Sequence, residues 1–330
     1  GFSGRDLKMK VSLGNITCGT VNVKPEAEGP MTFPVEHTPS ETGVFNLTVS
    51  TPADPEEVTA GNNTVSRKVR FIKDRIRILM LFSTPSWELR FLKGAFERDR
   101  RVDFKVYLPS VDPRIFKYKQ KYFLSELPKK KDELFKNYDM IIISGIDIKS
   151  LSSDFVKNVE AFVSEEGGGL VVLSDGSAVP YSMKNTPLER ALPVRIIQPI
   201  GPSSFKQEMS KSLATPYTLR VVDEVNGNPI TAFDVDIKRN GAIWNSFPGM
   251  FEPPPETEMK PSGIRLVDAV IPGDAAGAGL PAIVYHTYGK GLVLYMGFDS
   301  SWRWRKEVGD RYFRDYWGKV VQFLGLPHLL

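Results

Sequence analysis

The sequence predicts an α/β domain built on a parallel sheet, preceded by a small all-β module. Three observations carry that reading. Residues 1–72 show short period-two apolar runs separated by turn residues. From residue 73 the apolar runs become nearly continuous, the mark of strands buried on both faces of a sheet. Segments with apolar residues at helical spacing lie between those runs, so strand and helix alternate as in a right-handed parallel unit.

In the first module the runs fall at 8–13, 20–23, 31–33, 44–49 and 65–71. Gly14 and Asn15, the stretch 39–43, and Gly61 with Asn62 and Asn63 sit between them as turns. Five to seven short strands in so short a segment suggest a sandwich of immunoglobulin type. The second domain opens with the apolar run 76–82. Ser86 can cap a helix whose Trp87, Phe91, Leu92, Ala95 and Phe96 share a face. Strands follow at 102–108 and 138–144, split by a basic insertion near 109–137. A helix from Ser152 and Ser153 carries Phe155, Val159, Phe162 and Val163, and the triplet 167–169 ends it before a fourth strand at 169–174. Residues 195–280 are rich in Pro and Gly and read as an irregular insertion. A hairpin at 282–297 and a final helix from about Gly309, with Tyr312, Phe313, Tyr316, Trp317 and Val320 on one stripe, close the chain.

Composition narrows the function classes. The 330 residues are enough for two domains, and 41% hydrophobic with 25% charged residues is ordinary for a globular chain. A net charge of +4 does not by itself imply nucleic acid. One cysteine rules out an internal disulfide and cysteine-rich zinc sites, and His37, His286 and His328 lack metal-ligand spacing. Neither a metal nor a cofactor is therefore expected. No apolar run reaches the length of a membrane span, and these residues are expected to include no signal peptide, which leaves the targeting of a longer parent chain open. The chain opens at Gly1, so it reads as a segment of something longer.

Two stretches carry resemblances. The segment 43–49, Glu56 and Glu57, and Asn62 to Val65 resemble the end of adhesion-type immunoglobulin-like modules of bacterial surface proteins, where paired asparagines make the turn before the last strand. The stretch 85–92, the strand at 138–143, the triple-glycine strand, 186–193, and 288–299 followed by Trp302, Arg303, Trp304 and Arg305 resemble bacterial glutamine amidotransferase-like domains. That second resemblance spans about 73–330, and the Trp-Arg-Trp-Arg ending is its most specific part. It implies a flavodoxin-like, class I amidotransferase-like sheet. It also implies a membrane-anchored, extracytoplasmic bacterial setting beside a von Willebrand factor A domain.

The same resemblance locates the catalytic positions. A nucleophile elbow would follow the strand ending at Leu173, where the sequence reads Ser174, Asp175, Gly176, Ser177 and Ala178, and Pro180 interrupts the helix opening. The catalytic histidine would follow a late strand, where the sequence reads Gly297, Phe298, Asp299 and Ser300. Cysteine and histidine are both absent there, and Cys18 lies in the other module. The domain is thus expected to be a degenerate amidotransferase scaffold with no assigned catalytic residue.

The remaining candidates each have a bland counterpart. A serine hydrolase would use Ser177, with His286 as base and Asp175 or Asp299 behind it. Yet Ser177 is not in a Gly-x-Ser-x-Gly turn, and His286 sits mid-strand. Trp302, Arg303 and Arg305 follow a late strand, at the edge where open α/β sheets bind ligands. They suit a carboxylate, phosphate or acidic peptide, or else the arginines pair with Glu88, Asp175 or Asp299. Trp87 and Glu88 share that ambiguity, with Glu88 expected to pair with one of those arginines. The lysines at 117–131, among Phe116, Tyr118, Tyr122 and Phe123, are broken by Glu126 and read as a solvated insertion rather than a nucleic-acid surface. Asn15, Asn46 and Asn62 match the glycosylation pattern but read as turn and strand residues. The expected function is a non-catalytic module binding a protein partner or small anionic ligand at Trp87, Glu88, Asp175, Ser177, Asp299, Trp302, Arg303 and Arg305. The alternative is a hydrolase using Ser177 or a carboxylate in the same cleft.

Overall fold

In the computed structural model the chain divides into two compact units, Gly1–Asp74 and Arg75–Leu330. The structure describes residues 6–24, 35–37, 43–53, 57, 59, 61–71, 75–110, 112, 114, 121–197, 215–222, 227–252, 254–270 and 279–329.

The first unit holds β1 (Leu7–Leu13), β2 (Ile16–Val23), β3 (Gly43–Ser50) and β4 (Thr64–Phe71) in one antiparallel sheet of order β2-β1-β3-β4. The β1–β2 hairpin turns at Gly14 and Asn15, where a φ of 55° at position 14 favours glycine. Asn63 shapes the turn into the last strand: its Nδ2 donates to Glu57 Oε2 at 2.6 Å, and its carbonyl accepts from Thr51 N at 2.9 Å. Among the described residues this unit is a single four-stranded sheet. The expected strand at 31–33 lies outside the described residues.

In the second unit, β5 (Ile76–Phe82), α1 (Trp87–Arg98) and β6 (Val102–Tyr107) come first. Then follow β7 (Phe123–Leu124), α2 (Lys131–Asn137), β8 (Met140–Ser144), α3 (Ser153–Ser164) and β9 (Gly169–Leu173). Next are α4 (Pro187–Ala191), β10 (Val194–Ile196), β11 (Thr218–Val221), α5 (Ile237–Asn245), β12 (Thr257–Met259) and β13 (Ile264–Val270). The chain ends with β14 (Leu280–Tyr288), β15 (Gly291–Met296) and α6 (Arg311–Leu329). Nine strands form one mixed sheet, β11-β13-β14-β15-β9-β8-β5-β6-β7, in which β15 through β7 run parallel and the β11 side is antiparallel.

The pleat splits the core between two faces. Ile78, Met80, Ile142, Val171, Leu294 and Met296 meet α1 and α6, while Leu79, Leu81, Ile141, Ile143, Val172 and Tyr295 meet α3. The cap expected at α1 forms, Ser86 Oγ accepting from Leu89 N at 3.1 Å, and Ser152 Oγ caps α3 by accepting from Phe155 N at 3.2 Å.

One expectation is corrected. The segment 195–280 is not merely irregular, since it supplies β11, β12, α5 and β13, with Leu266 and Val267 fully buried. Charged Arg265 and Asp268 hide the strand in the sequence, and they pair with each other in the fold. In the basic insertion Lys121, Lys129, Lys130 and Lys131 are exposed, Lys129 pairs with Glu126 at 2.6 Å and Lys131 with Glu165 at 2.5 Å, and Tyr122 stacks on Phe104 at 5.2 Å, while Lys117 and Lys119 lie outside the described residues. Among the described residues no helix is long and apolar enough to cross a membrane.

Candidate functional site

Strands β5, β8, β9 and β15 run parallel in matched register, so the segments leaving Phe82, Ser144, Leu173 and Met296 converge at one sheet edge. Such an edge is where α/β sheets place ligands. Gly145 sits there with a φ of 64°, and a Cβ on it would lie 2.9 Å from Ser83 Oγ and 3.6 Å from Asp175 Oδ2. Three segments therefore close on one point.

At the position expected for the elbow, the chain folds around Asp175. Its Oδ1 accepts from Val179 N at 2.8 Å and Ala178 N at 3.1 Å, and Ser177 Oγ donates to Oδ2. A carboxylate thus organises this loop where a nucleophile would stand, and the chain continues into a short 3-10 turn, Tyr181–Met183, rather than a long helix.

Asp299 leaves β15 toward the same point, with Oδ2 3.5 Å from Ser144 Oγ. Burial, then the neighbouring Glu252 and Asp175 carboxylates, push its pKa up to about 7. Glu88, on the first turn of α1, is 1% exposed. Its Oε2 accepts from Trp302 N at 2.9 Å, its Oε1 accepts from Ser301 Oγ, and Trp317 Nε1 donates to that same Oγ at 3.0 Å. Burial pushes the Glu88 pKa up to about 8 despite those hydrogen bonds, so the group is mostly uncharged at neutral pH.

Glu88 holds the 3-10 turn Ser301–Arg305 against α1, and the two together wall an open cleft of about 600 Å³. Trp87, Phe91, Phe251 and Trp302 supply its aromatic surface. The Trp87, Phe91 and Trp302 rings lie 5.8–6.2 Å apart, with planes 17–32° from parallel, and Trp87 is 53% exposed. The Arg303 guanidinium lies 4.6 Å from the Trp302 ring and 4.7 Å from the Phe251 ring. Its Nε is buried and has no hydrogen-bond partner among the described residues. Pro248, Lys306 and Arg305 complete the lining, and Arg90 lies 5.0 Å over Trp87.

The structure brings Trp87, Trp302, Arg303 and Arg305 into this cleft, with Glu88 behind it and Asp299, Asp175 and Ser177 along the adjoining edge. Two expected pairings fail. Glu88 bonds to Ser301 and Trp302 rather than to an arginine. Arg303 instead faces Glu252 at 3.8 Å, and Arg305 pairs with Asp310. The Ser177–His286 dyad does not form either. His286 lies opposite Val293, and Val293 opposite Leu170, near the start of the parallel strands, whereas Ser177 lies beyond their ends. Sequence reasoning missed Phe251 and Glu252, because they lie in the segment read as irregular. Phe91 was legible only as a helix-face residue. Among the described residues no group of three or more His, Cys, Asp or Glu side chains could hold a metal ion.

No family model matches the chain, and no curated protein matches it. Solved structures do resemble it at low identity. A cytoplasmic protein from Salmonella typhimurium LT2 is 16% identical, with 86% of this chain and 97% of that one covered at a TM-score of 0.44. An exo-β-1,4-mannosidase from Opitutaceae bacterium strain TAV5 is 12% identical over 76% of this chain and 36% of that one, at 0.38. A protein provisionally assigned as one chain of a GMP synthase, from Thermoplasma acidophilum, is 11% identical over 76% and 97%, at 0.38. Similarity at this level transfers no activity to the chain.

Proposed function

We infer that the second unit is a non-catalytic binding module whose cleft takes an anionic ligand or an acidic segment of a protein partner. One observation carries the reading: the partly exposed Arg303 guanidinium is held against Trp302 and Phe251 beside an open aromatic wall, with only a long 3.8 Å contact to the Glu252 carboxylate. A guanidinium so placed presents a rigid donor fork to a carboxylate, while the rings take the apolar body of the ligand. Glu88, mostly uncharged at neutral pH, adds no opposing charge behind the cleft. The wider setting is a degenerate amidotransferase-type scaffold with an immunoglobulin-like module, in an extracytoplasmic, membrane-anchored bacterial protein. It is supported by the sequence resemblance, by the Asp175-centred loop in place of an elbow, and by the antiparallel sheet of the first unit. Calorimetric titration of the whole chain with a glutamate-rich peptide tests the reading. Saturable binding that Arg303→Ala weakens supports it, and equal binding by both proteins refutes it.

A second reading rests on Asp299, whose pKa of about 7 suits a general acid or base. It makes the edge beside Asp175 and Glu252 a hydrolytic centre using carboxylates. Hydrolysis of a glycoside or amide that Asp299→Asn abolishes would favour it over the binding role.

A further inference from the structure

The polar contacts of His286 reach far from the cleft. The imidazole is 3% exposed on β14, and its Nε2 lies 2.8 Å from the carbonyl oxygen of Ala191. A carbonyl can only accept, so Nε2 carries the proton. In the neutral ring Nδ1 is then the acceptor. The group 2.9 Å from Nδ1 is Ser262 Oγ, which must donate to it. Ser262 itself is solvent-exposed. A buried, oriented base thus accepts the proton of the hydroxyl of an exposed serine, the arrangement that activates serine nucleophiles, with a main-chain carbonyl in the orienting position.

The turn that presents Ser262 is fixed from several sides. Gly263 N donates to Lys260 O at 2.8 Å, closing the turn, and Lys260 N donates to Pro193 O at 2.9 Å. Lys260 Nζ donates to the carbonyls of Glu189 and Arg190 at 2.9 and 3.0 Å, strapping the turn to α4. The ring stacks on Tyr288 at 6.1 Å from the same strand, and Lys260 is the charged side chain whose field acts on it. Burial first, and then that ammonium, lower the His286 pKa below the ordinary histidine value. The base is therefore neutral and able to accept at physiological pH.

We propose that Ser262, with His286 as its general base, is a reactive nucleophile that takes an acyl group from small activated esters. In the step, Ser262 Oγ bonds to the ester carbonyl carbon while its proton passes to His286 Nδ1. The bond from that carbon to the leaving oxygen breaks, and the leaving group departs with the electron pair. The imidazolium then returns its proton to water.

The test is acetylation of the whole chain by p-nitrophenyl acetate, read by intact mass and peptide mapping. The expected result is one acetyl group at Ser262, absent from Ser262→Ala, and about 100-fold slower to form in His286→Gln. The rate should rise below about pH 6.5 as the imidazole deprotonates, then stay flat. Because His286 is buried and its replacement can misfold the unit, Ser262→Cys gives an independent readout. At about pH 6 the introduced thiol should react with iodoacetamide at least about 10-fold faster than Cys18 of the same chain, since a neighbouring imidazole favours the thiolate. No acetyl at Ser262, equal labelling of Ser262→Ala, a rate that climbs continuously with hydroxide, or a Ser262→Cys thiol no faster than Cys18 would each overturn the assignment.

Discussion

Glu88 Oε2 accepts a hydrogen bond of 2.9 Å from the backbone N–H of Trp302, joining the first turn of α1 to the turn that ends the parallel sheet. These residues are 214 positions apart in the chain, and their meeting sets two walls of the cleft side by side. Glu88→Ala should therefore cost about 2 kcal/mol or more, since it strands a buried N–H and leaves Ser301 with one partner fewer. Chemical denaturation of the whole chain measures this, and the wild-type emission of Trp87 and Trp302 should change with it.

The same carboxyl sets a pH dependence. Its folded pKa of about 8 exceeds the ordinary value of 4.5, so ionisation is easier in the unfolded chain. Its stabilising contribution is complete below about pH 4.5, falls as pH rises from there to about 8, and is constant above. Glu88→Gln should flatten that part of the stability profile. Thermal melts of both proteins from about pH 5 to about pH 9 check the sign.

Asp299 titrates near 7 because of burial and because Glu252 and Asp175 repel its charge. Glu252→Gln removes one of those charges and should lower the Asp299 pKa toward the usual carboxylate range. Carbon-detected NMR of the carboxyl resonance reads the shift directly.

Arg303 should not tolerate lysine. An ammonium keeps the charge but loses the planar fork between Phe251 and Trp302, so Arg303→Lys should weaken acidic-peptide binding about 10-fold or more. Raising the salt should weaken wild-type binding as well. Calorimetry at two ionic strengths checks both outcomes.

Gly169 opens β9 against α6, and a Cβ there would lie 2.6 Å from Leu324 O and 2.9 Å from Leu324 Cβ. Gly169→Ala should destabilise the unit by about 1–3 kcal/mol, because helix backbone must move to admit it. Denaturant midpoints report the loss.

The parallel half of the sheet was legible because β5, β8 and β9 are nearly unbroken apolar runs, with capped helices following β5 and β8. β13 was not, because Arg265 and Asp268 interrupt its pattern and become acceptable only once they pair with each other and Asp268 also faces Arg220 on the neighbouring β11. Trp302, Arg303 and Arg305 could be placed at the right edge from their position after β15. The partners of Arg303 could not be, since Glu252 and Phe251 come from a segment without periodicity. Ser262 gave no sequence signal: its only distinction is the imidazole that β14 carries to it. The expected Glu88–arginine pair failed for a similar reason, as local sequence cannot show that a backbone N–H and a serine hydroxyl will satisfy a buried carboxyl.

The most direct test of the binding cleft is a crystal structure of the whole chain with a bound glutamate-rich peptide. The account predicts a peptide carboxylate hydrogen-bonded to Arg303, with the peptide backbone or side chains resting on Trp87 and Trp302. A peptide bound elsewhere, or bound with Arg303 unengaged, would contradict it.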